Sequence, residues 1–191
     1  SATLSILGGK INSAAIRINA ANPLVINSAL STQSDLLANT IYRNKLNSVQ
    51  EGIEITNLPA TFKDSSGNTM KNENGNVYIN GSLKSDFNLT LNTSGHTYIS
   101  GAVDAKKLEI AAIGNARITS TGVINAGDAT LVSDRFENNG KILGEGLKIV
   151  AVNDIQNRFG GKILGDSITL ASDKSIVRNG SQYPFMPSIE A

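Results

Sequence analysis

The sequence predicts an all-β fold, a right-handed parallel β-helix built from rungs of three short strands, and three observations carry that expectation. First, Gly140-Lys141-Ile142-Leu143-Gly144-Glu145-Gly146-Leu147-Lys148-Ile149 recurs as Gly161-Lys162-Ile163-Leu164-Gly165-Asp166-Ser167-Ile168-Thr169-Leu170. Second, weaker copies of the same frame run along most of the chain. Third, every apolar run is short and closed by Gly, Asn, Asp or Ser, and the 191 residues include 18 Gly and 22 Asn. Such punctuation belongs to strands and tight turns, not to helices.

The repeat can be followed through its anchors: Ile11, Leu30, Leu83, Val103, Ile124, Ile142 and Ile163. In five copies the anchor is followed by apolar residues at offsets +5 and +7, as in Ile11 with Ile16 and Ile18, or Ile163 with Ile168 and Leu170. An apolar pair two apart with a polar residue between is a strand with one buried face. Two copies carry the pair one residue later, Leu30 with Leu36 and Ala38, and Leu83 with Leu89 and Leu91. That shared slip predicts a bulge. A third short apolar element follows, at Phe136, Ile155 and Ile176. Leaving out the step from Leu30 to Leu83, the anchors are 19, 20, 21, 18 and 21 residues apart. A coil of three strands and three turns produces such a period, with the turns absorbing the length changes. At about 4.8 Å per rung, seven rungs span roughly 35 Å, and each rung depends on its neighbours for burial. A β-sandwich would explain the strands but not the matched register.

Composition narrows the function. Seventeen basic residues against sixteen acidic ones give a net charge of +1, spread without a basic face, so no nucleic-acid partner is expected. Cysteine is absent, which removes the usual staple of secreted proteins and suits a chain that crosses an outer membrane unfolded. No apolar run of 18 residues is present, and the opening residues are not expected to be a signal peptide. The opening Ser1-Ala2-Thr3-Leu4 already reads as repeat, as expected of a segment of something longer.

Residues 1–191 are therefore expected to form one β-helix with two irregularities. The first is an insertion over 40–76, read as a hairpin or loop projecting from the rod beside one imperfect coil between Leu30 and Leu83, in which Ala60-Thr61-Phe62-Lys63 and Thr69-Met70-Lys71 flank the turn-rich Asp64-Ser65-Ser66-Gly67-Asn68. The second is an irregular tail over 181–191 with Tyr183-Pro184-Phe185-Met186-Pro187. Phe62, Met70, Tyr183 and Phe185 are the candidate binding residues, because solenoid insertions often carry binding. A tolerated surface loop is the plainer alternative.

Catalytic signals are weak, and the chain is expected not to be an enzyme. The single histidine, His96, reads as a solvated turn residue, and no nucleophile elbow, phosphate loop or metal motif is found. No cofactor is expected. Asp128, Glu145 and Asp166 are the carboxylates a polysaccharide-active β-helix would need, and Glu145 and Asp166 share a repeat offset that would place them about 5 Å apart on adjacent rungs. Asn138 and Asn157 also match in offset. They are expected either to form a stacked amide ladder along the solenoid or to be turn residues chosen for left-handed φ.

The blocks Asn138-Asn139-Gly140-Lys141-Ile142-Leu143-Gly144 and Asn157-Arg158-Phe159-Gly160-Gly161-Lys162-Ile163-Leu164-Gly165-Asp166-Ser167-Ile168-Thr169-Leu170-Ala171 resemble the haemagglutinin repeats of filamentous haemagglutinin and of contact-dependent growth inhibition effectors. The resemblance is specific over 117–180, partial over 4–38 and 77–116, and missing over 40–76. It implies a shaft segment of a large exoprotein of two-partner secretion, exported through an outer-membrane β-barrel transporter to the bacterial surface. Adjacent repeats of the full-length chain would be its neighbours, and a target-cell receptor or host surface a further partner. The family's secretion domain carries Asn-Pro-Asn motifs, and Asn22-Pro23-Leu24 is the nearest text here, so shaft is expected, not secretion signal. A receptor-binding module using 40–76 or the tail is the alternative.

Overall fold

The computed structural model describes residues 4–20, 23–32, 52–57, 61–63, 65–71, 75–180 and 188–190. Among them all regular structure is β and no helix occurs. Two parallel sheets run along a solenoid. One holds eight mostly short strands: Leu4–Ile6, Leu24–Ile26, Val77–Ile79, Thr97–Ile99, Ala116–Ile118, Phe136–Asn138, Asp154–Arg158 and Ser175–Gly180. The other is built from long strands, Ser82–Thr93, Ala102–Ala112, Val123–Ser133, Lys141–Ala151 and Lys162–Ser172, with shorter ones at either end. Each strand pairs with its counterpart one coil away. That is about seven turns of a parallel β-solenoid.

The three strand segments expected per rung are present, but only two are separated from the next by turns. Each long strand bends once without ending. Between Ala102–Ala112 and Val123–Ser133 the ladder runs from Ala102↔Val123 to Ala105↔Ala126, skips Lys106 and Gly127, and resumes at Lys107↔Asp128. In the first coil the two halves are separate strands, Lys10–Ser13 and Ala15–Ala20.

All seven anchors fall on one column. Register links Ile11 to Leu30, Leu30 to Leu83, then Val103, Ile124, Ile142 and Ile163 in turn. From Leu30 to Ile163 these side chains are at most 1% exposed, whereas Ile11 in the first coil is 45% exposed. The contrast shows that burial comes from neighbours above and below. A fully buried Leu or Ile contributes about 1.5–3 kcal/mol, so an end coil contributes less than an inner one.

The interruption differs from its expected form. Leu30 stacks directly on Leu83, and no imperfect coil lies between them. The expected pair Leu36 and Ala38 lies outside the described residues, and its places in the columns are taken by Ile53 and Ile55. Ile53 sits between Ile16 and Leu89, and Ile55 between Ile18 and Leu91. Gly52–Asn57, assigned from sequence to the insertion over 40–76, is thus the second half of the second coil. The chain departs at Thr32 and returns at Gly52, opposite Ser85 and Asn88, where the third coil carries its expected bulge at Asp86-Phe87. A bulge leaves backbone unpaired, so a long excursion there breaks no ladder bond. Gly52 is required at the return: its φ is +111°, and a Cβ would run into the carbonyl of Asn88. A second departure follows Asn57 and contains the expected hairpin, Thr61–Lys63 paired antiparallel with Thr69–Lys71.

The C-terminal expectation is also corrected in part. Within 181–191, Ser188–Glu190 continues the anchor column, with Ile189 opposite Ile163, so this stretch of the tail is regular. Tyr183 and Phe185 lie outside the described residues.

On the short-strand sheet one inner column changes character along the rod. Ile6, Ile26, Ile79, Ile99 and Ile118 are followed by Asn138 and Asn157. Both Asn are fully buried. Asn138 donates from Nδ2 to Asn157 Oδ1 at 2.8 Å and to the carbonyl of Lys162 at 3.1 Å, while its Oδ1 accepts from Gly140 N–H at 3.1 Å. Asn157 donates to the Gly161 carbonyl at 2.9 Å. This is the amide ladder. The left-handed alternative fails, since the only non-glycine residue with positive φ among those described is Phe159.

Two predictions follow from the ladder and the splice. Asn157→Ala orphans buried polar groups at about 1–3 kcal/mol each, so Tm should fall by several degrees while the exposed Asn125→Ala leaves it unchanged. Replacing residues 33–51 by the dipeptide Asp-Phe of the third coil should leave the β circular dichroism and Tm within a few degrees of the parent. Loss of folding would show that residues 33–51 supply part of the coil.

Candidate functional site: a polar groove along the strand bend

The bend has a cause in the inner column beneath it. Thr32, Ser85, Ala105, Ala126, Gly144 and Gly165 stack there, all small. At Gly144 there is no room for a side chain. A Cβ on Gly144 would lie 2.6 Å from the Ala126 carbonyl oxygen and 2.6 Å from a Leu147 methyl. Glycine inside a strand marks such close approach. On the outside these residues border a groove of about 810 Å³.

The groove's polar groups come from two outward columns. The bend column runs from Asp86 and Phe87 through Lys106 and Gly127 to Glu145, and the column before it supplies Asp104 and Asn125. The bulge end is held firmly. Ser85 Oγ donates to the Asn88 carbonyl at 3.0 Å, accepts from Phe87 N–H at 3.2 Å and accepts from Thr32 Oγ1 at 2.8 Å. Three carboxylates face one ammonium here, so the groove is acidic. Just beyond the bend Lys107 pairs with Glu109 at 2.8 Å. The hydrogen bond and charge of Glu109, with a smaller effect from Asp128, raise Lys107 above its ordinary 10.5. A raised lysine stabilises the fold below that value and loses the effect only as pH climbs past it, so this exposed pair sets no pH dependence near neutrality.

The residues singled out from sequence are distributed as follows. Glu145 and Asp166 do share a column, since Gly144 pairs with Gly165 and Gly146 with Ser167. Both are exposed, and only Glu145 lines the groove. Asp128 lies across from Lys107, past the bend. Phe62 and Met70 are backbone register partners in the hairpin. His96 is corrected: it is half-buried, accepts Asn115 N–H at Nδ1 over 2.8 Å and meets Tyr98 edge-on at 6.1 Å. It ties one coil to the next. Among the described residues no group of three or more His, Asp or Glu is placed to hold a metal ion.

Sequence reasoning missed Asp86, Phe87, Asp104, Lys106 and Asn125. Each reads as a solvated polar residue or a bulge until register aligns them. It also missed the outward column on the short-strand sheet where Tyr78 stacks on Tyr98, with ring centres 5.0 Å apart and planes within 10°. Arg117 and Glu137 follow in that column at 3.5 Å. Beside them a cavity of about 190 Å³ is lined by Tyr98, Arg117, Arg135 and Gln156.

Fold and groove together define a parallel β-solenoid with a polar furrow along one bend. No family model, curated protein or solved structure matches the chain.

The pinched column gives a direct expectation. Gly144→Ala forces its Cβ against backbone, and should cost about 1–3 kcal/mol by overpacking, read as a lowered denaturation midpoint. An unchanged midpoint would mean that the bend has slack.

Proposed function

We propose that the chain is a structural shaft segment of a large secreted bacterial surface exoprotein, an adhesin or contact-dependent inhibition effector exported by two-partner secretion. The observation that carries this reading is the unbroken set of inner columns. Each coil presents the same apolar positions to the next, as at Leu83, Val103, Ile124 and Ile142, so coils are interchangeable and length is set by their number. A rod of this kind holds whatever lies at its ends at a fixed distance from the cell. The resemblance of Asn138–Gly144 and Asn157–Ala171 to haemagglutinin repeats supplies the class of parent and the outer-membrane barrel as export partner. Folding that needs no disulfide suits a chain threaded through such a barrel and assembled outside.

A second reading is favoured by a separate observation. Two excursions leave the same coil, one after Thr32 and one after Asn57, while the coils from Ser82 to Ser172 carry none. A receptor-binding module would use them, with Phe62 and Met70 on the hairpin and a target-cell surface as partner.

The shaft reading predicts that a coil can be removed. Deleting Ala102–Gly122, which joins Gly101 to Val123 in register, should leave a folded β-solenoid. Fused behind a two-partner secretion domain, parent and deletion should both reach the medium when the matching barrel is present. Retention of both in the periplasm would count against export by this route. If replacing 33–51 and 58–74 with short turns abolishes cell binding while the coil deletion does not, the binding-module reading gains.

A further inference from the structure

We propose that the groove along the strand bend binds a neutral oligosaccharide laid parallel to the rod axis. This goes beyond the shaft reading and does not depend on it. The groove's size, near 810 Å³, lies within the range of ligand sites. Its shape is set by the stack of coils: Asp86, Lys106, Gly127 and Glu145 come from four successive rungs, so it extends about 14 Å at the rung spacing. An extended ligand of repeated polar units fits such a furrow better than a compact one.

The lining chemistry selects the class. The carboxylates of Asp86, Asp104 and Glu145 are acceptors, Asn125 both donates and accepts, and Lys106 donates. A ligand bearing many hydroxyls can give to the first group and receive from the other two. Phe87, half-buried at one end, offers an apolar ring for the C–H face of a sugar. A phosphate- or sulfate-bearing chain would meet three carboxylates for one ammonium, which is repulsive. A peptide cannot add as a strand, because Ala102–Ala112 and Val123–Ser133 are paired on both edges. Recognition must then come from outward side chains. These stand on sheet strands, with the bulge pinned by Ser85 and the floor kept low by Gly127 and Gly144, a preorganised arrangement that costs little ordering on binding. A basic peptide is the rival that the charge admits.

Calorimetry on the full chain distinguishes them, with cellotetraose, chitotetraose and maltotetraose as neutral probes and an oligolysine as the cationic one. At least one tetrasaccharide is expected to bind, with an affinity that hardly changes between about 0.05 and 0.5 M salt. Asp104→Ala with Glu145→Ala should weaken it by about tenfold or more, at unchanged circular dichroism, while Lys148→Ala outside the groove leaves it intact. If the alanine pair lowers Tm, the isosteric pair Asp104→Asn and Glu145→Gln takes its place. The proposal is overturned if no tetrasaccharide binds at millimolar concentration, if the groove variants bind as well as the parent, or if only oligolysine binds and salt abolishes it.

Discussion

Everything in this molecule rests on stacking in register. A single inner coil has an inner face of five or six apolar side chains and no second layer to cover it, so it cannot bury that face alone. The cover is the next coil, and it works where apolar side chains fall in the same columns. Leu30, Leu83, Val103, Ile124, Ile142 and Ile163 meet that condition on one column. Slipping the register by one residue would turn each inward side chain outward. The same rule explains why departures from the repeat occur at corners. The excursion after Thr32 takes the place of a bulge, and the strands on either side of it, Ala29–Thr32 and Gly52–Asn57, still pair with one continuous strand, Ser82–Thr93.

The stacking rule also governs the polar interior. A buried amide is costly unless its hydrogen bonds are met, and Asn138 and Asn157 meet each other's needs one coil apart while serving the Gly140, Gly161 and Lys162 backbone. Where the column holds Ile it is secured by contact, and where it holds Asn it is secured by direction as well. The groove is a further product of the same economy of space. Small residues at 105, 126 and 144 stack at the bend, and the outward side chains of successive coils line one furrow beside them.

Much of the fold was legible because its physics is periodic. The anchors and their +5 and +7 partners appear in the sequence as offsets, and every anchor falls where those offsets place it. The second coil was misread for a physical reason: its two halves are separated by residues 33–51, so Ile53-Glu54-Ile55 stood at the wrong distance from Leu30 to be recognised. Leu36 and Ala38 stood at a plausible one. His96 looked like a solvated turn because its acceptor role requires knowing that Asn115 lies one coil above. The groove was invisible for the same reason. Asp86, Lys106 and Glu145 are far apart in sequence and of unlike type, and only register makes them neighbours.

The ladder crosses the excursion, with Gly52–Asn57 completing the second coil. The cysteine-free chain permits a direct measurement. Glu54 and Thr90 are register partners on the outer face, and adjacent parallel strands about 4.8 Å apart lie within disulfide reach. The doubly substituted chain, Glu54→Cys with Thr90→Cys, should close an intramolecular disulfide on mild oxidation in the folded state, detected by mass spectrometry after proteolysis. Failure to close, together with ready closure of Leu37→Cys with Thr90→Cys, would contradict the account and return the coil to the register that the bare sequence offered.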